Sequence, residues 1–202
     1  RVPASWCGLL GWRPSHRSVS TQGMQPLAPT LDTTGLFCRD HKLLLGAADV
    51  LLSSSSNDRP SEPHAPERLY WIPELWTGVK HATRTVLLDA CEQLRHTIGC
   101  NLETITLSQL GLCEPQDLQT LFQAIQWDEI AATFATLPED LPLGALFQRT
   151  LAMVQNRARS EKIQLNQHRD RVRDALASAL GDHGLLAQPI TPGPAPAIGS
   201  FS

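Results

Sequence analysis

No charge sign dominates this chain: 17 Lys and Arg stand against 20 Asp and Glu, for a formal net charge of −3 and a pI near 6.2. That balance lacks the basic stripe a nucleic-acid site needs and the basic face that would hold an anionic membrane. Long apolar runs are missing too. The longest, Leu43 to Leu52, is broken by Asp49 and falls well short of the roughly 20 residues that span a bilayer. There is no HExxH, and the seven histidines show no metal-ligand spacing, so neither a metal nor a cofactor is expected. CxxC pairs are absent as well. Cys7, Cys38, Cys91, Cys100 and Cys113 are odd in number and irregularly spaced, which argues against a disulfide framework. They read as reduced, mostly buried thiols of a cytoplasmic protein. What remains is 42% hydrophobic and 18% charged residues over 202 positions, enough for an ordinary globular core.

Glycine and proline punctuate the first 35 residues, which suits loops and brief strands. Asp40 reads as the N-cap of a helix, with Leu44, Ala47, Ala48, Leu51 and Leu52 on the face that packs on a sheet. Residues 54–66 form a polar Ser/Pro/Asn/Asp loop. A strand is expected over Arg68–Ile72, closed by Pro73. A helix follows over 77–98, burying Val79, Thr83, Val86, Leu87, Ala90, Leu94 and Ile98 and stopping at Gly99. Leu102–Leu107 alternates like a half-exposed strand. A helix over 115–136 starts on Pro115 and buries Leu118, Leu121, Phe122, Ile125, Ile130 and Phe134. One or two helices span 144–180, with a mixed-charge stretch that forms i,i+4 pairs, and Leu185–Ala187 is a short strand before a Pro-rich loop. The order of elements predicts an α/β fold.

More specific wording lies at the two ends. Arg1-Val2-Pro3-Ala4 leads into Gly11-Trp12-Arg13-Pro14-Ser15-His16, then Pro26-Leu27-Ala28-Pro29 and Leu31-Asp32-Thr33. Near the other end stand Gly181-Asp182-His183-Gly184 and Pro189-Ile190-Thr191-Pro192-Gly193. These segments resemble the amidase signature family, most closely its plant-type indole-3-acetamide hydrolase branch. Arg1, Pro3 and Ala4 match the close of that family's Gly-Gly-Ser-x-Arg-x-Pro-small nucleophile motif. The match is strong over 1–53 and 181–199 and faint over 67–180. The resemblance implies a partial amidase domain over 1–202: a post-nucleophile core segment at 1–53, the polar loop, a helix-rich variable region at 67–180, and a strand with its Pro-rich loop at 181–202. It further implies a mixed central sheet flanked by helices, incomplete in this chain.

The same resemblance implies hydrolysis of a carboxylic amide, indole-3-acetamide or another aryl or alkyl amide, to acid and ammonia. The Ser-Ser-Lys triad that performs it is expected upstream of Arg1, so no catalytic residue is assigned within the chain. Lys42, Lys80 and Lys162 lie outside the family's lysine context. Residues 1–202 alone are expected to be inactive. By resemblance, Arg1 and Asp32 brace the active-site loops, and Val2, Trp6 and Met24 line the acyl pocket. Expected partners are a small-molecule amide and, for the full-length protein, a second copy in a homodimer. The competing expectation is a catalytically silent amidase-like protein used for protein–protein interaction. Two departures stand out. Arg17 occupies a usual glycine position, where positive φ would strain it, and Thr30 replaces a commoner serine.

Overall fold

A computed structural model of the chain describes residues 1–53, 65–135, 142–155 and 158–199. The chain begins with a five-residue helix, α1 (Val2–Trp6), that sequence pattern does not reveal because it is too short to show a helical period. Strands β1 (Leu10–Trp12) and β2 (Leu36–Cys38) pair antiparallel, with Leu10 opposite Cys38 and Trp12 opposite Leu36. Helix α2 (His41–Ser53) packs on this ribbon. The Asp40 carboxylate caps it, its Oδ1 accepting from the amides of Lys42 (2.8 Å) and Leu43 (3.0 Å). Leu44, Ala48, Leu51 and Leu52 are half-buried, but Ala47 is exposed, because the ribbon is too narrow to cover the whole expected face.

A second sheet is parallel and has the order β4 (Asn101–Thr104), β3 (Arg68–Trp71), β5 (Gly184–Ala187). The central strand aligns Leu69 with both Leu102 and Leu185. Its Leu69 and Tyr70 are buried, as is Ile72 just beyond it, as expected for a strand flanked on both sides. Pro73 ends the strand and opens a 3-10 turn (Pro73–Trp76) that buries Trp76. Strand β4 departs from the expected alternation: all four of its residues are exposed, Leu102 included, because it lies at the edge of the sheet. Most of the expected 54–66 loop lies outside the described residues.

Helix α3 (His81–Ile98) starts four residues later than expected, after Gly78 turns the chain, and stops at Gly99 in the left-handed conformation (φ +76°). Its predicted face is only partly covered. Thr83, Leu87 and Ile98 are half-buried, but Val86 is 66% exposed, and Ala90 and Leu94 also face solvent. Helix α4 (Pro115–Phe134) has Pro115 in its first turn and buries Leu121, Ile125, Ile130 and Ala131, while Phe122 is turned outward. The region after it resolves into two helices, α5 (Ala145–Gln155) and α6 (Arg159–Leu180), both packed against α4. Ala28, Ile130, Ala131 and Leu151 form a closed core there, walled by Trp127, Phe134 and Phe147. The cysteine expectation is corrected: only Cys100 is buried, Cys7 is exposed and the other three are half-buried. All five are free thiols.

Candidate active site

The motif Arg-x-Pro-Ala has a local physical cause. Pro3 sits in the first turn of α1, where a missing N–H costs nothing, and the Ser5 and Cys7 amides donate to the carbonyls of Arg1 and Pro3, each at 3.0 Å. Ala4 is buried and lies so close to β1 that a Cβ on Gly11 would come within 2.7 Å of its own Cβ. A small residue after the proline and a glycine on the strand are therefore two halves of one contact.

The segment between β1 and β2 folds back on itself and is held by polar contacts rather than by regular structure. Asp32 is the centre. Its Oδ2 accepts from the amides of Leu27 (2.8 Å) and Ala28 (3.0 Å), and the Leu31 and Asp32 amides donate back to the Ala28 carbonyl, each at 2.8 Å. The carboxylate closes a tight loop over 27–32 and seats Ala28 in the helical core. The segment after β1 is tied to the same loop. Arg13 donates from Nη2 to the Leu31 carbonyl (3.0 Å), and His16 donates from Nδ1 to the Asp32 carbonyl (3.1 Å). A carbonyl only accepts, so His16 carries its proton on Nδ1 in this bond.

Arg1 and Asp32 line one open cavity of about 360 Å³, together with Trp12, Arg13, Thr33 and Phe37. Among the described residues no ion pair joins the two; the Asp32 carboxylate serves the backbone of its own loop instead. Arg13 feels the neighbouring charge: burial first, and the Arg1 guanidinium second, hold its pKa below the usual arginine range. Arg1 also reaches a second cavity of about 390 Å³, walled by Trp76, Leu87, Leu94, Leu186 and Ile190, beyond the carboxyl ends of β3 and β5. Ligands of open α/β sheets collect at that end of the strands.

The other sequence-selected residues are spread out. Val2 and Trp6 ride on α1, each with more than a third of its surface exposed. Met24 lines a separate cavity of about 120 Å³ with His16, Arg17 and Asp32. Arg17 has φ +67°, the one non-glycine in the left-handed region among the described residues. Sequence reasoning missed Arg13, His16, Glu129 and Arg169. Glu129 on α4 accepts from the Thr30 amide (2.8 Å) and from the Thr30 hydroxyl, and Arg169 on α6 donates to that hydroxyl at 2.8 Å. The Arg-Pro-Ser-His wording was the available signal for Arg13 and His16. Nothing in the sequence pairs positions 99 and 139 residues apart.

Among the described residues no cluster of three or more His, Cys, Asp or Glu could hold a metal ion, and no helix is long and apolar enough to cross a membrane. The chain is 28% identical over 221 residues to Amidase 1 of Oryza sativa subsp. japonica, which covers 98% of this chain and 51% of that protein. It is 28% identical over 138 residues to the indoleacetamide hydrolase of Pseudomonas syringae pv. syringae, covering 67% of this chain and 29% of that one. A solved crystal structure of an amidase superposes with a TM-score of 0.79 at 19% identity, over 99% of this chain and 44% of that one, a likeness of fold. The chain thus spans about half the length of the rice protein. The amidase family model matches residues 1–202, and this chain belongs to the amidase family.

Proposed function

We propose that the whole protein hydrolyses a carboxylic amide carrying an aryl or alkyl group, indole-3-acetamide or a relative, to the acid and ammonia. The observation that carries this reading is the position of Arg1, at the rim of both cavities and in register with the family's nucleophile motif. A serine two residues earlier, as the family motif has it, would lie within about 7 Å of Arg1 along the chain, since consecutive Cα atoms are 3.8 Å apart. In this reading its hydroxyl serves the cavities that Arg1 borders.

In this reading the serine oxygen bonds to the amide carbon while a neutral lysine takes its proton through a second serine. Backbone amides of the glycine-rich segment stabilise the oxyanion. The C–N bond then breaks, the nitrogen leaves as ammonia with the transferred proton, and water hydrolyses the acyl ester to the carboxylic acid. The 390 Å³ cavity lies within the 300–1,000 Å³ range of ligand pockets and has an apolar wall suited to the acyl group, with Val2 next in chain to its rim residue Arg1. The 120 Å³ cavity with Met24 is too small for that role. Val2 and Trp6 on α1 remain the proposed pocket residues, and Arg1 and Asp32 brace the loops around the site.

The test is to express the reading frame extended upstream of Arg1 and measure ammonia release from indole-3-acetamide, phenylacetamide and short alkyl amides. Release that disappears when the serine two positions before Arg1 is changed to alanine supports the reading. Release untouched by that change, or none from any amide, overturns it. A frame lacking the serine would favour a binding role for the same fold.

A further inference from the structure

The loop that carries Asp32 is fastened to helices from the far part of the chain, and we propose that Glu129 and Arg169 are positioning residues for the active-site loop. The proposal rests on the amidase reading above for its effect on turnover, and on geometry for everything else. Thr30 is the connecting point. Its amide donates to Glu129 Oε2 at 2.8 Å, its hydroxyl donates to Glu129 Oε1, and the same hydroxyl accepts from Arg169 Nη1 at 2.8 Å. Both backbone and side-chain donors of one loop residue are thus satisfied by one carboxylate, and the hydroxyl's acceptor side is filled by a guanidinium. Charge-assisted bonds of this kind are stronger and more directional than neutral ones.

The arrangement is covered on the helix side and open to solvent at Thr30. Glu129 is 17% and Arg169 33% exposed at the side chain, with Arg169 also 4.0 Å from Glu129 and 3.7 Å from Asp170. Two residues before Thr30, Ala28 is sealed in the core of α4 and α5; two residues after it, Asp32 closes the loop. From Asp32 and Leu31 the contacts run on through His16 and Arg13 to β1, whose Gly11 abuts Ala4 of the Arg1 segment. An unbroken set of contacts therefore joins the faintly family-like helices to the segment that follows the proposed nucleophile. A displacement of about 1 Å at a reacting group lowers turnover on the order of 10²-fold, so a clamp that reaches the Arg1 segment through these contacts governs rate without touching substrate.

The experiment uses the whole protein and four variants: Glu129→Gln, Arg169→Met, Thr30→Val and Thr30→Ser. Hydrogen exchange is read at residues 13–16 and 27–33, alongside global unfolding and steady-state kinetics. Glu129→Gln, Arg169→Met and Thr30→Val are expected to speed exchange in both segments roughly tenfold or more while global unfolding stays cooperative. They should lower kcat about 10²-fold with KM within about twofold. Thr30→Ser keeps every donor and acceptor and should behave as the parent. Unchanged exchange in the three disabling variants overturns the proposal whatever the activity. Faster exchange with unchanged kcat in an active amidase also overturns it. If the parent hydrolyses no amide, the functional reading fails, and exchange alone decides whether Glu129 and Arg169 hold the loop.

Discussion

Helices α3 and α4 meet opposite fates, although α3 is the more amphipathic of the two. Along α4, which packs on α5 and α6, Leu121, Ile125, Ile130 and Ala131 are all buried, the last two in one core with Ala28 and Leu151. Along α3 no residue is fully buried, and Val86 is 66% exposed. Helix α2 resembles α3, with Leu43, Leu45 and Val50 each more than 60% exposed. A periodic stripe states which face seeks cover; whether cover exists depends on elements far away in the chain. The chain spans about half the length of its rice relative, and its described residues close one core while leaving other apolar faces open.

The sharpest test of that contrast is a matched pair of truncations followed by urea unfolding. Ile130→Ala removes a side chain that is 5% exposed, in contact with Ala28, Ala131 and Leu151, and should cost about 2–5 kcal/mol. Val86→Ala, from a solvent-facing position, should stay within about 0.5 kcal/mol. A Val86→Ala loss as large as that of Ile130→Ala in the whole protein would break the comparison by showing a covered α3 face.

Next in size is the polar counterpart of the closed core. Asp32→Ala strips the acceptor from the Leu27 and Ala28 amides and should destabilise by about 1–3 kcal/mol, with Asp32→Asn restoring part because an amide oxygen still accepts. Equal losses for the two variants would mean that the charge, not the hydrogen bonds, holds the loop.

These residues also show how far the sequence could be read. The capping carboxylate of Asp40, the Pro115 start and the Gly99 stop act within a few residues of themselves, and all three stand where local chemistry puts them. Burial of Val86, Leu94 and Phe122 is a long-range property, and there the pattern named faces the fold does not cover. Asp32 is legible as a brace through its motif, but its partners are local amides rather than Arg1. The Thr30–Glu129–Arg169 contacts leave no periodicity or spacing for a reader to find.

Arg17 tests a smaller term in the same loop. A bulky residue at φ +67° costs about 1–2 kcal/mol relative to a relaxed backbone, and glycine returns part of that gain as lost unfolded-state restriction. Arg17→Gly should therefore raise stability by about 0.5–1 kcal/mol, read as a higher urea midpoint with unchanged slope. A loss on substitution would show that the arginine side chain contributes more than its backbone strain removes.

The smallest effect belongs to the open side of the molecule. On α3, Glu92 pairs with Arg95 three residues on and lies 3.1 Å from His96. The hydrogen bond from Arg95, then the charges of Arg95 and His96, hold the Glu92 carboxyl below the usual range. A carboxyl whose folded pKa is depressed stabilises above its unfolded pKa and loses that contribution as pH falls through the folded one. Glu92→Gln should therefore melt slightly lower than the parent at neutral pH. The two curves should merge once pH drops well below about 4.3, the unperturbed glutamate value. Because the pair faces solvent, high salt should shrink the same difference at neutral pH. A gap that persists in acid and in salt would mean the substitution disturbs helix packing, and α3 would then belong with α4 rather than opposite it.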